Sequence, residues 1–129
     1  MAQDDTVGIL DFQDARMGPQ VYDVASLLTD RGTPQVLGDE VSARLISYYL
    51  DRFDAESGGR TDRDAFAEQF DWVAAQRCLK ATGTFAAMHV LYQRDQYLPH
   101  IAPTLAYLRP LLERHEVLSP LAAFLRHYL

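Results

Sequence analysis

The residues best placed to do chemistry lie near the start of the chain, in Gly8-Ile9-Leu10-Asp11-Phe12-Gln13-Asp14-Ala15-Arg16-Met17-Gly18-Pro19, followed closely by Tyr22-Asp23-Val24-Ala25. Residues 6–11 read as a short strand, because β-branched and aliphatic residues run up to an acid and then into a turn-forming segment. That places the Asp11 carboxylate at the end of a rigid element, projecting into the loop region where ligands collect. A carboxylate there can bind a hard cation directly, and magnesium is the natural candidate. The plainer reading is an aspartate that bonds the backbone of its own turn. Asp14 could add a second carboxylate or a water-mediated contact, or be an ordinary turn residue. Asp23 precedes an apolar helical run and suits a cap or first-turn acid. Gly18-Pro19 reads as a turn, since no glycine-rich loop follows the strand.

Elsewhere the reactive residue types have simpler explanations. Cys78 is the only cysteine, which excludes an internal disulfide, and its helical surroundings make it a small packing residue. His89, His100, His115 and His127 are dispersed without the paired spacing of a zinc site. Arg77 and Lys80 sit about one turn apart and read as solvated positions on an amphipathic helix. Residues 54–65 do not form a calcium loop, because the twelfth position is not glutamate.

These residues have to be positioned by a mainly α framework. The pattern predicts a first helix from about Val21, with Val24, Leu27 and Leu28 inward, ending before Gly32-Thr33-Pro34. A second helix begins at an Asp39 cap, buries Val41, Leu45, Ile46, Tyr49 and Leu50, and stops at Glu56-Ser57-Gly58-Gly59. A third, long helix starts at Thr61 or Asp62 and carries Phe66, Phe70, Val73, Ala74, Phe85, Met88 and Leu91 inward, with Gly83 as its weak point. Its many alanines would let neighbouring helices approach closely, so it is expected to be the core. A fourth helix runs from Pro103 to about His115, bent by Pro110, and a closing helix follows Ser119-Pro120 with Leu121, Phe124, Leu125 and Tyr128 docked.

Composition narrows the classes of function. The chain has 129 residues, of which 48% are hydrophobic, which suits one folded domain. With 12 basic against 18 acidic residues the formal charge is -6, and no basic stripe with interleaved aromatics is present, so nucleic acid is an unsuitable partner. No apolar run approaches the roughly 20 residues that span a bilayer, and the first residues lack the pattern of a signal peptide, so no membrane partner and a cytoplasmic location are expected.

The segment from Gly8 to Pro19 with Tyr22-Asp23 resembles the aminoglycoside phosphotransferase and choline kinase superfamily, in which a strand ends in an Asp-Phe-Gly-like triplet and a glycine-containing turn leads into a helix. The form Asp11-Phe12-Gln13-Asp14-Ala15 is similar to its bacterial branch of anomeric N-acetylmuramate/N-acetylglucosamine kinases, as is Trp72-Val73-Ala74-Ala75-Gln76-Arg77-Cys78-Leu79-Lys80 with Gly83 and Phe85. The resemblance implies a protein-kinase-like fold, ATP and Mg2+ as cofactors, and a sugar or amino-sugar acceptor. It makes Asp11 the ligand of Mg-ATP and Asp23 a brace for the catalytic loop, while Asp14 keeps the alternatives given above.

The same resemblance implies a histidine-x-aspartate with an asparagine five residues later, which this sequence does not contain. Residues 1–129 are therefore expected to be a partial C-terminal lobe, with the strand and metal-binding loop in 1–20 and a helical subdomain in 21–129. The nucleotide lobe and catalytic loop would precede it, no catalytic residue would lie in this chain, and it would be inactive alone. Its unpaired strand could mediate self-association. The alternative is a non-catalytic helical module that binds a protein partner.

Overall fold

Local signals start and stop the helices where the backbone needs them. The computed structural model describes Ala15 and residues 17–128, and these form five α-helices and two short 3-10 helices with no strand among the described residues. The helices are α1 (Val21–Leu28), α2 (Thr33–Ser57), α3 (Arg63–Tyr92), α4 (Ile101–Arg114) and α5 (Ser119–Tyr128). The 3-10 turns Asp95–His100 and Glu116–Leu118 flank α4. The mainly α class expected from sequence holds. The expected strand at 6–11, and self-association through it, lie outside the described residues, as does the side chain of Tyr128.

The start of α3 is set by Asp62, whose side chain accepts hydrogen bonds from the backbone N–H groups of Asp64 and Ala65 at 3.0 and 3.1 Å. Such a cap satisfies two donors that have no partner inside the helix, and is worth about 1 kcal/mol. Gly83 does not interrupt α3, which is packed before it through Ala75 and Cys78 and after it through Phe85 against Tyr97 and His100. It ends where Gln93 turns left-handed (φ 53°), with its N–H bonded to the His89 carbonyl at 2.9 Å. The end of α2 uses Gly58 in the same way, and there φ of 70° carries no side-chain penalty.

A second glycine breaks α2 near its start. Gly38 has φ 70° and ψ 172°, a conformation open almost only to glycine, so the regular part of α2 begins just after it. That matches the start expected at Asp39. Asp39 itself, however, makes no capping hydrogen bond to a described residue; Ser42 instead donates to the Gly38 carbonyl at 2.8 Å.

α3 is the spine of the molecule, as its alanine-rich pattern suggested. Phe66, Phe70 and Ala74 meet Val21, Ala25, Leu28, Leu50 and Leu111 in one core. Ala75 and Cys78, on the adjoining strip of α3, meet Leu105, Leu108, Leu112 and Ala122 in another. The two cores therefore share one helix, and α4 reaches both, sending Leu111 to the first and Leu105, Leu108 and Leu112 to the second. This geometry suits α4, whose apolar residues at 105, 108, 111 and 112 follow the helical repeat and continue through Pro110 without a break.

Several inward assignments are corrected by the fold. On α1 the buried residues are Val21, Ala25 and Leu28, whose i, i+4, i+7 spacing leaves Leu27 on the outer face at 66% exposure. On α2 only Leu50 is fully buried; Ile46 and Tyr49 are half-buried, and Val41 and Leu45 are exposed because no described element covers that side. Leu91, in the last turn of α3, and Phe124, in the middle of α5, are also exposed. α4 begins at Ile101, ahead of the expected Pro103.

Leu108 is completely buried between α3 and α5. Replacement by alanine should cost about 2 to 5 kcal/mol, the range for emptying a tightly packed leucine site. Chemical denaturation should show a lower midpoint with an unchanged slope, and an unchanged midpoint would contradict the packing described.

Candidate functional site

The candidate metal ligands Asp11 and Asp14 lie outside the described residues. Their donor chemistry, two carboxylates and no nitrogen or sulfur, fits a hard cation such as magnesium. Among the described residues no group of three or more histidine, cysteine or acidic side chains could hold a metal. Asp23 stands in the first turn of α1, exposed, and makes no hydrogen bond or ion pair to a described residue. There its charge is favoured by the helix dipole on the order of 0.5 kcal/mol.

The corner where this segment enters α1 is held from two sides. The Tyr49 hydroxyl of α2 donates to the Gln20 carbonyl at 3.2 Å. Arg77 of α3 donates to the Tyr22 hydroxyl at 3.0 Å and lies over the Tyr22 ring, 5.3 Å from its centroid. Arg77 is thus not the solvated residue that its helical position suggested; half-buried, it ties α1 to α3, while Lys80 is exposed as expected. Arg77 Nε and Gln20 Nε2 are both buried there without a partner among the described residues. Cys78, one residue on, is buried, and burial pushes its thiol up to about 11 against a weaker opposing effect of Arg77, so its packing role stands.

Among the described residues, a groove of about 950 Å³ lies between α2, α3 and α4. Its floor is apolar, with Leu28, Leu50, Phe66, Phe70 and Leu111. Its walls are polar, with Asp39, Ser42, Ser47 and Asp51 from α2, Arg63 and Asp71 from α3, and Tyr107 and Arg114 from α4. A volume in this range, an apolar base and a few polar groups are the usual ingredients of a small-molecule site.

Two ion-pair clusters frame the groove, and neither was foreseen from sequence. At the turn between α2 and α3, Arg63 pairs with Asp51 at 2.9 Å and Asp54 at 3.0 Å. Asp54 also accepts from the Thr61 hydroxyl and, at 2.8 Å, from the Thr61 N–H. At the far side, buried Asp71 contacts Arg114 Nη1 at 3.1 Å and His115 Nε2 at 3.1 Å, and His115 lies against the Trp72 ring at 5.6 Å. One signal for Asp71 was available: it occupies the same helical strip as Ala74, Ala75 and Cys78, where an acid has to find a partner.

The Thr61 hydroxyl is the main cause holding the Asp54 carboxyl below its usual range; partial burial opposes it, while the Thr61 N–H, Arg63 and Arg60 act in the same direction. A carboxyl with a depressed folded pKa adds stability that is present above its unfolded value, near 3.8, and is lost as pH falls through the folded one. Asp54→Asn should therefore melt below the parent chain at neutral pH. The gap should close as the pH drops below about 4, and a gap independent of pH would exclude a charge-based contribution.

Comparison with known proteins places these features in a family. The sequence profile described as the phosphotransferase enzyme family matches residues 1–68, which include Asp11, Asp14, Asp23, all of α1 and α2, and the Asp62 cap. An N-acetylmuramate/N-acetylglucosamine kinase of Neisseria meningitidis serogroup B is 38% identical over 121 residues, covering 92% of this chain and 35% of that protein. A protein of the same name from Pseudomonas putida is 31% identical over 116 residues, covering 88% of this chain and 33% of its own length. The chain thus spans about a third of the length of the curated relatives it matches. No solved structure matches. With the profile covering more than half of the 129 residues and both relatives aligning along nearly all of them, the chain belongs to the phosphotransferase enzyme family.

Proposed function

We propose that the chain forms the acceptor-holding portion of an ATP- and Mg2+-dependent sugar kinase, and that the acceptor is an amino sugar of the N-acetylmuramate or N-acetylglucosamine type. The groove between α2, α3 and α4 is the observation that carries this reading. A sugar has apolar C–H faces and a rim of hydroxyls, and the groove offers Phe66, Phe70 and Leu111 beneath with carboxylates and serine hydroxyls along its sides. The names of the two relatives support the choice of acceptor.

In this reading residues 1–20 hold the metal-binding strand and loop, and 21–129 form the helical subdomain. Asp11 is the magnesium ligand, with Asp14 as a second ligand or water-mediated contact, and Asp23 braces the catalytic loop. Bound magnesium would neutralise charge on the nucleotide phosphates. Arg77 and Tyr49 would keep the entry to α1 in place behind that loop. The reaction belongs in the cytoplasm, where ATP is supplied.

The sequence contains no histidine-x-aspartate with the following asparagine, so the base that orients the acceptor hydroxyl is not provided by these residues. Phosphate transfer from ATP to either sugar by the 129-residue chain should stay at background, and turnover would overthrow this assignment. In a longer version that contains the missing loop, Asp11→Asn should lower kcat by at least ~100-fold, the scale of removing one electrostatic stabiliser. Normal turnover and magnesium dependence in that variant would remove Asp11 from the metal site.

A further inference from the structure

The two sides of the groove differ in charge. Asp39 and Asp51 stand on α2, and Arg63, which lines the groove beside them, is already matched by Asp51 and Asp54. The α4 wall is different. Tyr107, Pro110, Leu111 and Arg114 all line the groove, and their i, i+3, i+4, i+7 spacing makes them one face of the helix.

Arg114 on this wall is anchored along one edge and open along the other. Only its Nη1 reaches Asp71, at 3.1 and 3.3 Å, and the remaining guanidinium donors make no hydrogen bond to a described residue. The side chain is 60% exposed, whereas that of Asp71 is 13% exposed. His115, itself packed on Trp72, touches the same Asp71 carboxylate, so the anchor is fixed from behind. A guanidinium held this way loses little freedom when a planar anion pairs with its open edge.

Tyr107 supplies a second, neutral donor. It is half-buried, lines the groove, and its hydroxyl makes no hydrogen bond to a described residue. Burial is the main cause raising its pKa, with Cys78 and Asp71 adding to it, so the group stays a protonated phenol at neutral pH.

We infer that the α4 wall contains a carboxylate subsite in which Arg114 takes the acid group of an anionic amino sugar while Tyr107 donates to a neutral oxygen of the same molecule. Arg114 is then the residue that distinguishes a carboxylate-bearing amino sugar from a neutral one. Asp39 and Asp51 across the groove repel the acid group and so fix which way the ligand lies. The inference rests on the groove being the acceptor site proposed above.

The test is isothermal titration of the 129-residue chain with N-acetylmuramate, which carries a carboxylate, and N-acetylglucosamine, which does not. N-acetylmuramate should bind at least ~10-fold more tightly, as befits one charge-assisted fork. Arg114→Gln should abolish that preference and leave N-acetylglucosamine affinity within about twofold. Arg114→Lys keeps a charge for Asp71 but loses the planar fork, and should still weaken N-acetylmuramate by at least ~5-fold. Thermal melts of both variants check folding, and the lysine variant decides if the glutamine variant does not fold. Equal affinity of the parent chain for the two sugars, or equal losses for both in Arg114→Lys, overturns the carboxylate subsite while the acceptor groove survives. Binding of neither sugar overturns both.

Discussion

The whole arrangement depends on α3 being buried on two adjoining strips at once. Phe66, Phe70 and Ala74 belong to one core, and Ala75 and Cys78 to the other, so neighbouring residues on a single turn serve different sets of helices. Small side chains at 74, 75 and 78 make this possible, because two helices can come close to the same stretch of backbone only where little volume projects from it. α1, α2 and part of α4 then have a common reference, and so does the α4–α5 unit.

The position of the groove follows from that layout. α2 reaches the core fully through Leu50 alone and partly through Ile46 and Tyr49, and its C-terminal end is fastened by the Arg63, Asp51, Asp54 and Thr61 cluster. Between this fastening and α4 no side chain of the described residues fills the space above Phe66, Phe70 and Leu111. The polar groups on the two walls come from helices with separate supports: Asp51 of α2 is held by Arg63, and Arg114 of α4 by its buried partner Asp71. Their spacing is therefore a property of the fold and not of a loop.

Much of this was legible in the sequence, for reasons that are local. Glycine at 58, aspartate at 62, proline near 103 and 120 and the long apolar repeat of α3 mark helix boundaries through backbone chemistry acting within a few residues. Which apolar residues face outward was less legible. Leu27, Leu91 and Phe124 fit helical stripes, but which side of a helix is covered depends on the elements packed against it. The pairs that define the candidate site join residues far apart in the chain, Tyr22 with Arg77 and Asp71 with Arg114, and no periodicity reports such contacts. Asp71 is the intermediate case, because an acid within an apolar strip announces that it needs a partner without naming it. The segment with the clearest chemical pattern, Asp11 to Asp14, owes its reading to family likeness, and the structural description begins beyond it.

The sparse attachment of α2 has a thermodynamic corollary. Any molecule lodged between the α2 and α4 walls would cover apolar floor that the described residues leave open, and so act as a removable part of the interior. Its affinity would then be linked to the folding equilibrium of the helix it touches, since a ligand bound only by the native chain raises stability by RT ln(1 + [L]/Kd). Occupancy and rigidity of this face would rise and fall together.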